Sequence, residues 1–311
     1  MDRMVIKSNT VKGINISEIS LGTVQLGLNY GINNQNGKPS QSQAEEILSC
    51  AIEHGINTLD TAAQYGDSEQ VIGKWLAGFG GEKPFIVTKA KELDHTSLEA
   101  LRKSLKMQVE QSKENLGLTR LPMLMLHSCD EYTEDAENMK KVFGELKENG
   151  DILFSGISAY SHHDYTKIAE SGFDAVQIPL NLFDWRQIDN GGVEKLRESG
   201  MMIFVRSVYL QGLVFKNPDF LDEKMSFCKD ALVKFRGLCE KFGLSPAQLA
   251  LSFALSLKGV TSLVLGSETK EQVIQNAELY SKCVRLSDGQ MEEIHDCFKD
   301  IDRRIVTPSQ W

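Results

Sequence analysis

The sequence predicts an α/β fold in which eight parallel strands alternate with helices and close into a barrel. Short β-rich runs alternate with longer helical patterns along the chain, which implies parallel strands joined by right-handed crossovers. Eight strand–helix units can be counted, the number that closes a barrel of this kind. The main alternative, an open dinucleotide-binding sheet, needs G-x-G-x-x-G in its first turn, and neither "LGTVQLGLNYG" nor "GFGGE" matches that pattern.

Each predicted element has a local signal. "RMVIKSNTVKGINISEIS" predicts a small hairpin, and "SQAEEILSCAIEHG" predicts an amphipathic helix that a Ser begins and a Gly ends. The predicted barrel strands are "ISLGTVQLG", "INTLD", "PFIVTKA", "LPMLMLHS", "DILFSGISAY", "FDAVQIPLN", "MMIFVRSVY" and "VTSLVLG". Further helices are predicted from Ser68, over 97–116, over 134–149, from Ser161, over 192–199, over 225–242, from Ser245, from Thr269 and over 287–300. The prediction is a (β/α)8 TIM barrel with an N-terminal β-hairpin and an extra C-terminal helix, in one domain over residues 1–311.

The composition narrows the functional class. The 311 residues carry a net charge of −9, with a pI of about 5.3, which opposes nucleic acid or an anionic membrane as partner. The six cysteines are scattered, with no CxxC pair, which favours a reducing compartment over a disulfide framework or a structural zinc site. The N-terminus lacks an apolar signal core, and no run approaches ~18 apolar residues. We expect a cytoplasmic protein without a metal, and the oligomeric state is left open.

Polar side chains stand at the ends of three successive predicted strands. Asp60, Lys89 and His127 end the second, third and fourth strands, and Tyr65 follows Asp60 in a small Gly-flanked loop. Active sites of such barrels lie at the C-terminal ends of the strands, so we expect the four side chains to converge. Taken singly, Asp60 and Lys89 would suit a structural ion pair, and His127 and Tyr65 would suit packing roles. Their arrangement at consecutive strand ends favours a functional site.

The four residues suit protonation of an oxygen on which negative charge develops, as when a hydride reaches a carbonyl carbon. A free Tyr has a pKa near ~10, and a nearby Lys ammonium is expected to lower it. Asp60 would keep Lys89 charged and oriented. His127 would hydrogen-bond a substrate oxygen and fix its direction.

The segment "DTAAQYGDSEQVIG" resembles the aldo-keto reductase signature D-T-A-x-x-Y-G-x-S-E-x-x-[IL]-G. The Lys of "VTKA" and the His of "LMLHS" also stand where that family has them, and the resemblance covers essentially the whole chain. It implies a (β/α)8 barrel that reduces aldehydes or ketones with NADPH. It further implies that Tyr65 is the proton donor and that Asp60, Lys89 and His127 complete a catalytic tetrad.

The resemblance also implies a set of cofactor contacts. In "GISAY" and "VQIP", Ser158 and Gln177 match residues that bind the nicotinamide carboxamide, although Ala159 replaces the usual Asn. In "VRSVYLQGLV", Arg206 stands where an aromatic side chain commonly stacks on the nicotinamide, a contact that a guanidinium plane can also make. The other contacts implied in this part of the chain and in the first loop are Thr23, Ser207, Leu210 and Gly212.

"VLGSETKEQVIQN" resembles the segment that binds the adenosine phosphate. Gly266 and Gln272 occupy places where many relatives have Lys and Arg, so the usual partners of a 2′-phosphate are missing, and Glu268 would oppose it. The usual cofactor preference of the family that the chain resembles still favours NADPH over NADH. The residues implied in this segment are Gly266, Ser267, Lys270, Gln272, Gln275 and Asn276.

The expected substrate is a small carbonyl compound. "GLNYGINNQNGKPS", "VRSVYLQGL" and "PSQW" resemble a bacterial branch associated with surface-sugar biosynthesis, which hints at a sugar-like carbonyl. Val24, Tyr30 and Trp185 are the predicted substrate contacts, with Trp311 as a further candidate; each aromatic would also suit a packing role.

Three other functions compete with this interpretation. A metal-dependent barrel hydrolase needs paired His and carboxylate side chains at strand ends. The His pair of this sequence, in "SHHDY" at 161–165, instead begins a predicted helix. A glycosidase needs two facing carboxylates, and Asp60 supplies one, already beside Lys89. The alternative that stays open is a nicotinamide-nucleotide-binding sensor or regulatory subunit with little turnover, which an activity test would distinguish.

Overall fold

A computed structural model describes residues 5–30 and 37–311, with residue 309 by its backbone alone. Strands β3–β10 form a closed parallel barrel in the order β10-β3-β4-β5-β6-β7-β8-β9, and β1 pairs antiparallel with β2 as a hairpin. The ten strands are β1 Ser8–Val11, β2 Ile14–Ser17, β3 Ile19–Gly22, β4 Thr58–Asp60, β5 Phe85–Ala90, β6 Leu121–Leu126, β7 Ile152–Ser158, β8 Ala175–Pro179, β9 Met202–Arg206 and β10 Val260–Gly266. The predicted barrel and hairpin are confirmed; residues 1–4 and 31–36 of the predicted hairpin and first loop lie outside the described ranges.

Helices surround the barrel, and several begin at the Ser or Thr residues expected to start them. Ser97, Ser245 and Thr269 each accept a backbone N–H of the first helical turn through their side chains. The helices are α1 Val24–Gly27, α2 Gln41–Glu53, α3 Ser68–Gly78, α4 Leu98–Leu116, α5 Cys129–Glu134, α6 Ala136–Glu148, α7 Tyr165–Ala169, α8 Arg186–Asp189, α9 Gly192–Glu198, α10 Lys229–Phe242, α11 Pro246–Ser256, α12 Lys270–Lys282 and α13 Asp288–Phe298. Within the described ranges, no helix has the length and apolar character needed to cross a membrane.

Several predicted boundaries were wrong, and hydrogen bonds explain two of them. The first barrel strand ends at Gly22, because Thr23 donates its N–H to the carbonyl of Asp60 and the chain then turns into α1. The helix predicted from Ser161 begins at Tyr165, because Asp164 provides the side-chain cap while the Ser161 hydroxyl donates to Asp184. The predicted final helix is α13, and short 3₁₀ segments at Leu210–Phe215 and Glu223–Cys228 precede α10.

The inside of the barrel is apolar toward the N-terminal ends of the strands. Phe85, Val87, Met123, Met125 and Phe204 pack together there, and Ile16 of the hairpin closes the N-terminal end. The larger core lies between the outer faces of the strands and the helices. Because successive side chains of a strand face opposite sides, the residue two positions beyond each inner apolar side chain also faces inward.

Candidate active site

That alternation brings polar residues to the C-terminal mouth of the barrel. Lys89 follows Phe85 and Val87 on the inner face of β5, and His127 follows Met123 and Met125 of β6. In the same way, Gln177 follows Ala175 on β8, and Arg206 follows Phe204 on β9. Thus the inner face of several strands carries apolar side chains toward the N-terminal end of the barrel and the predicted site residues at the C-terminal end.

Asp60 and Lys89 form a buried ion pair at the centre of this mouth. Lys89 Nζ donates to Asp60 Oδ1 at 2.7 Å and to the carbonyl of Thr61 at 2.9 Å. Gln177 Nε2 donates to the same Oδ1, also at 2.7 Å. The three residues are at most 3% exposed. One carboxylate oxygen therefore orients both the ammonium and the amide.

Tyr65 lies above this pair, in the loop between β4 and α3. Its ring centroid is 5.2 Å from Lys89 Nζ and 5.7 Å from the His127 ring, which it meets edge-on. Two glycines let α1 approach this loop: a Cβ on Gly27 would lie 1.7 Å from the Tyr65 carbonyl oxygen, and a Cβ on Gly66 would lie 2.3 Å from the Gly27 carbonyl oxygen. The backbone at Tyr65 is thereby packed against α1.

The side chain of Ser68 fixes the other end of the Tyr65 loop. Its hydroxyl lies 2.9 Å from both the carbonyl and the hydroxyl of Thr23, and it accepts the Thr61 hydroxyl at 3.0 Å. Thr23 itself donates to the Asp60 carbonyl at 3.0 Å. These buried hydroxyls connect the loop to the ends of β3 and β4, so Tyr65 is held from both sides.

Burial and neighbouring charge set the protonation of the site. Burial lowers the pKa of Lys89, but the Asp60 carboxylate outweighs it, and the net pKa of Lys89 is raised. Burial raises the pKa of Tyr65 above its usual value, and the Lys89 ammonium opposes this only in part. The pKa of Tyr65 is therefore raised, whereas the sequence predicted that Lys89 would lower it. The prediction did not include the desolvation of the phenol by burial. Burial, followed by the Lys89 charge, lowers the pKa of His127 to about 4.

A cavity of about 610 Å³ opens beside Tyr65 and His127. Most predicted site residues line it: Thr23, Val24, Tyr30, Asp60, Tyr65, His127, Ser158, Gln177, Arg206, Ser207, Gly212 and Gly266. Several other residues line the cavity that were not predicted from the sequence, among them Gln25, Tyr160, Tyr209, Gln211 and Phe215. Tyr160 lies inside the quoted "GISAY", and Gln25 lies inside "LGTVQLG", so adjacency to motif residues was the available signal.

Other predicted cofactor residues do not line this cavity. Ser267 is buried and its hydroxyl accepts the Asn276 side-chain amide at 3.2 Å, while the side-chain Oε1 of Gln272 accepts the Glu268 N–H at 2.7 Å. Lys270 lines a different cavity, between α2 and α3. Leu210 is buried and Gln275 is exposed, and neither lies in the lining of the main cavity.

Trp185, a predicted substrate contact, is also outside the cavity lining. It is 7% exposed, it donates to the Leu182 carbonyl at 2.9 Å, and its ring lies edge-on to Phe253 at 5.3 Å. In this position the indole packs in the outer core, and a substrate contact by Trp185 stays a prediction. The Trp311 indole donates to the Arg304 carbonyl at 2.9 Å, likewise outside the cavity lining.

Arg206 brings a positive charge to the cavity. Its guanidinium donates to the Ala159 carbonyl at 3.1 Å and lies 4.6 Å from the centroid of the Tyr160 ring. Its charge opposes the rise in the pKa of Tyr65 and adds to the lowering of the pKa of His127. Among the described residues, no carboxylate lies within ion-pair distance of Arg206.

The sequence of this barrel matches the model of the Aldo/keto reductase family over residues 18–299. The chain belongs to the aldo/keto reductase family. It is 26% identical to the D-arabinose 1-dehydrogenase of Saccharomyces cerevisiae, over 92% of this chain and 91% of that one. It is 24% identical to the NADH-specific methylglyoxal reductase of Escherichia coli, over 93% and 97%.

A solved structure has the same fold as this aldo/keto reductase. The holo form of an aldo-keto reductase from Bacillus halodurans superposes with a TM-score of 0.76, at 20% identity, over 97% of this chain and 99% of that one. The family uses nicotinamide cofactors. The cavity fits such a ligand, since the buried Oε1 of Gln25 has no hydrogen-bond partner among the described residues and faces a lining that also holds the Arg206 cation.

One His-containing cluster of the described residues lies near the cavity. Asp130, His162 and His163 each have a ligand-type atom within 4.8 Å of the others. His163 Nδ1 accepts the Tyr160 N–H at 2.8 Å, and its Nε2 lies 3.1 Å from an Asp130 oxygen. With Nδ1 as acceptor, Nε2 carries the ring proton and donates to Asp130, so neither nitrogen of His163 offers a metal a lone pair. In this arrangement the hydrogen bonds of His163 connect the loop at Tyr160 to Asp130.

Proposed function

We propose that this aldo/keto reductase reduces an aldehyde or ketone with a hydride from NAD(P)H, with Tyr65 as the proton donor. The position of Tyr65 carries the proposal: the phenol lies at the cavity, between His127 and the buried Lys89–Asp60 pair. When bound, the cofactor would supply the hydride from its nicotinamide ring. Ser158 and Gln177 would hold the carboxamide at the barrel mouth.

The residues have distinct roles in this proposal. The raised pKa of Tyr65 keeps the phenol protonated at neutral pH, so it can donate when charge develops on the substrate oxygen. The Lys89 ammonium stabilises the phenolate that results, and Asp60 holds that ammonium in place. His127, neutral because its pKa is lowered to about 4, would hydrogen-bond the carbonyl oxygen without competing for its proton.

The charges near Gly266 bear on the choice of cofactor. The family resemblance favours NADPH, whose 2′-phosphate needs a cation. The described lining of the cavity has one cation, Arg206, and near Gly266 it has the anionic Glu268. Lys270 lines another cavity, so it does not replace the missing cations. These charges favour NADH, the cofactor named for the Escherichia coli relative, and we include that preference in the proposal.

The substrate that we propose is a small, polar carbonyl compound such as a sugar. Tyr30, Tyr160 and Phe215 are about half exposed and line the cavity. Aromatic faces of this kind can pack against the C–H face of a sugar ring while the ring hydroxyls stay hydrated. A relative named for a sugar, D-arabinose, agrees with this class.

The test is the variant Tyr65→Phe, measured for turnover and for cofactor binding. We expect carbonyl reduction to fall by at least ~10²-fold, since general acid catalysis contributes ~10²–10⁴. Cofactor affinity, followed by quenching of tryptophan fluorescence, should change by less than about threefold. A variant that kept most of its turnover would exclude Tyr65 as the donor. A wild-type protein that binds the cofactor but reduces no carbonyl would favour the sensor alternative.

A further inference from the structure

We propose that the positive charge of Arg206 makes the cavity discriminate between the two redox forms of the cofactor, binding the reduced dinucleotide more tightly than the oxidised one. This inference rests on the proposed function. It concerns a residue that has no part in the proton transfer. The guanidinium of Arg206 forms no ion pair with any described carboxylate.

The charge of Arg206 is not balanced by the acids that line the same cavity. Asp60 is already engaged, because Lys89 and Gln177 both donate to its Oδ1 at 2.7 Å. Glu268 lies in the loop after β10 and forms no ion pair with Arg206. Arg206 therefore has no paired acid near Tyr65, and the other charged side chain left in the described lining, Glu268, stands in the loop after β10.

The guanidinium of Arg206 is held in place rather than free to move into solvent. It is half-buried, it donates to the Ala159 carbonyl at 3.1 Å, and the Tyr160 ring lies 4.6 Å from it. Tyr160 in turn stacks on the His162 ring, with planes 11° apart. The charge thus stays beside the reaction centre, where it opposes the burial that raises the pKa of Tyr65 and adds to the lowering of the pKa of His127.

Any nicotinamide that delivers a hydride to a carbonyl held by Tyr65 must have its ring within a few ångströms of that carbonyl, in the space that Arg206 also lines. The oxidised ring carries a positive charge and the reduced ring is neutral. Two like charges ~6 Å apart at an effective dielectric constant of ~20 repel strongly enough to change an affinity by about ten- to a hundredfold. The reduced form escapes this repulsion.

The consequence concerns turnover as well as binding. Carbonyl reduction consumes the reduced cofactor, which Arg206 does not repel. It produces the oxidised cofactor, which Arg206 does repel. The spent cofactor should therefore leave readily, and the oxidised form should be a weak product inhibitor. An aromatic side chain at the same position would provide a stacking surface without this charge.

The test compares affinities for NADH and NAD⁺, and for NADPH and NADP⁺, in the full-length protein by tryptophan quenching or calorimetry. In Arg206→Gln, the ratio of oxidised to reduced dissociation constants should fall by at least about tenfold, mainly through tighter binding of the oxidised form. Arg206→Lys keeps the charge, and its ratio should stay near that of the wild type. Arg304→Gln is the matched control, because Arg304 lies 4.7 Å from the Phe227 ring and outside the cavity lining.

The outcomes separate this inference from the function on which it rests. If Arg206→Gln weakens both redox forms equally, or leaves the ratio unchanged, the inference is wrong while the nicotinamide site stands. A wild-type protein that binds neither form would overturn the proposed function as well. A fall in the ratio that Arg304→Gln reproduced would also refute the specific role of Arg206.

Discussion

The Thr88 hydroxyl donates to the Glu69 carboxylate at 2.6 Å, and this buried contact connects β5, which carries Lys89, to α3, which follows the Tyr65 loop. Thr88 faces the helices from β5, and its neighbour Lys89 faces the barrel interior. Glu69 is in the first turn of α3, directly after the Tyr65 loop. The spacing between phenol and ammonium therefore depends on a hydrogen bond outside the cavity.

We predict that Thr88→Val lowers kcat for carbonyl reduction by about tenfold or more, because small displacements of catalytic groups are costly. The change leaves a buried carboxylate oxygen without its short donor, which should also cost roughly 1–3 kcal/mol of unfolding free energy. Cofactor affinity should be unchanged. The basic limb of the pH–rate profile should move upward, because Tyr65 would lose part of the Lys89 charge that lowers its pKa.

A matched control for that variant lies at the other end of the barrel. The Ser155 hydroxyl donates to Asp174 at 3.0 Å, far from the Tyr65 loop. Ser155→Ala should reduce stability while leaving kcat and the pH profile as in the wild type. If both variants lost kcat equally, Glu69 and Thr88 would have only a structural role.

The Asp60–Lys89 pair gives a second prediction, on stability. Lys89→Met should lower the free energy of unfolding by about 3–5 kcal/mol, because it leaves a buried carboxylate without its cation. Adding Asp60→Asn should recover part of that loss without restoring activity. Urea unfolding measures the stability, and a steady-state assay measures the activity.

Lys147→Met is the comparison for the buried pair. The Lys147–Asp174 ion pair has the same 2.7 Å distance, but its lysine is 37% exposed. We expect a loss of less than about 1 kcal/mol from that change. Equal losses in Lys89→Met and Lys147→Met would contradict the argument from burial.

The barrel and the convergence of Asp60, Tyr65, Lys89 and His127 followed from the sequence, because both rest on local periods. Alternation within a strand decides which side chain faces inward, and strand order decides which ends meet. The bond between Gln177 and Asp60 joins residues 117 positions apart, and no local pattern encodes it. For the same reason, no local pattern indicates that Gln25 lies over Gly266, where a Cβ would come within 2.5 Å of the Gln25 amide nitrogen.

Burial was the other property that local patterns did not supply. Trp185 follows a predicted strand, which made it a substrate candidate, yet its indole packs on Phe253 in the outer core. The direction of the Tyr65 pKa likewise depends on how completely the folded chain covers the phenol. Both quantities are set by distant segments that cover the side chain.

Cofactor choice gives a third prediction. Glu268→Gln should tighten NADPH binding by about five- to tenfold and leave NADH binding nearly unchanged, because it removes the anion that would face a 2′-phosphate. Glu271→Gln changes an exposed carboxylate three residues away, outside the cavity lining, and serves as the control. Parallel titrations with both cofactors give the ratio. A response of both affinities to Glu268→Gln by the same factor would contradict this role.

His127 gives a prediction on pH. Its pKa is lowered to about 4, chiefly by burial, whereas an unfolded chain protonates His near ~6.5. Between these values the unfolded state binds more protons, so the stability contributed by neutral His127 is present above pH ~6.5 and is lost as the pH falls toward 4. The acid limb of kcat/KM should accordingly appear near pH 4 rather than near 6.5.

The variant His127→Gln isolates this effect, since an amide can hydrogen-bond but does not titrate. Between pH 6.5 and 4.5 the variant should lose about 2–3 kcal/mol less unfolding free energy than the wild type, at ~1.36 kcal/mol per pKa unit. Urea unfolding over this range measures the difference. Identical pH dependence in the two proteins would mean that His127 titrates alike in the folded and unfolded states. A neutral His127 could then not be assumed at the carbonyl oxygen in mildly acidic solution.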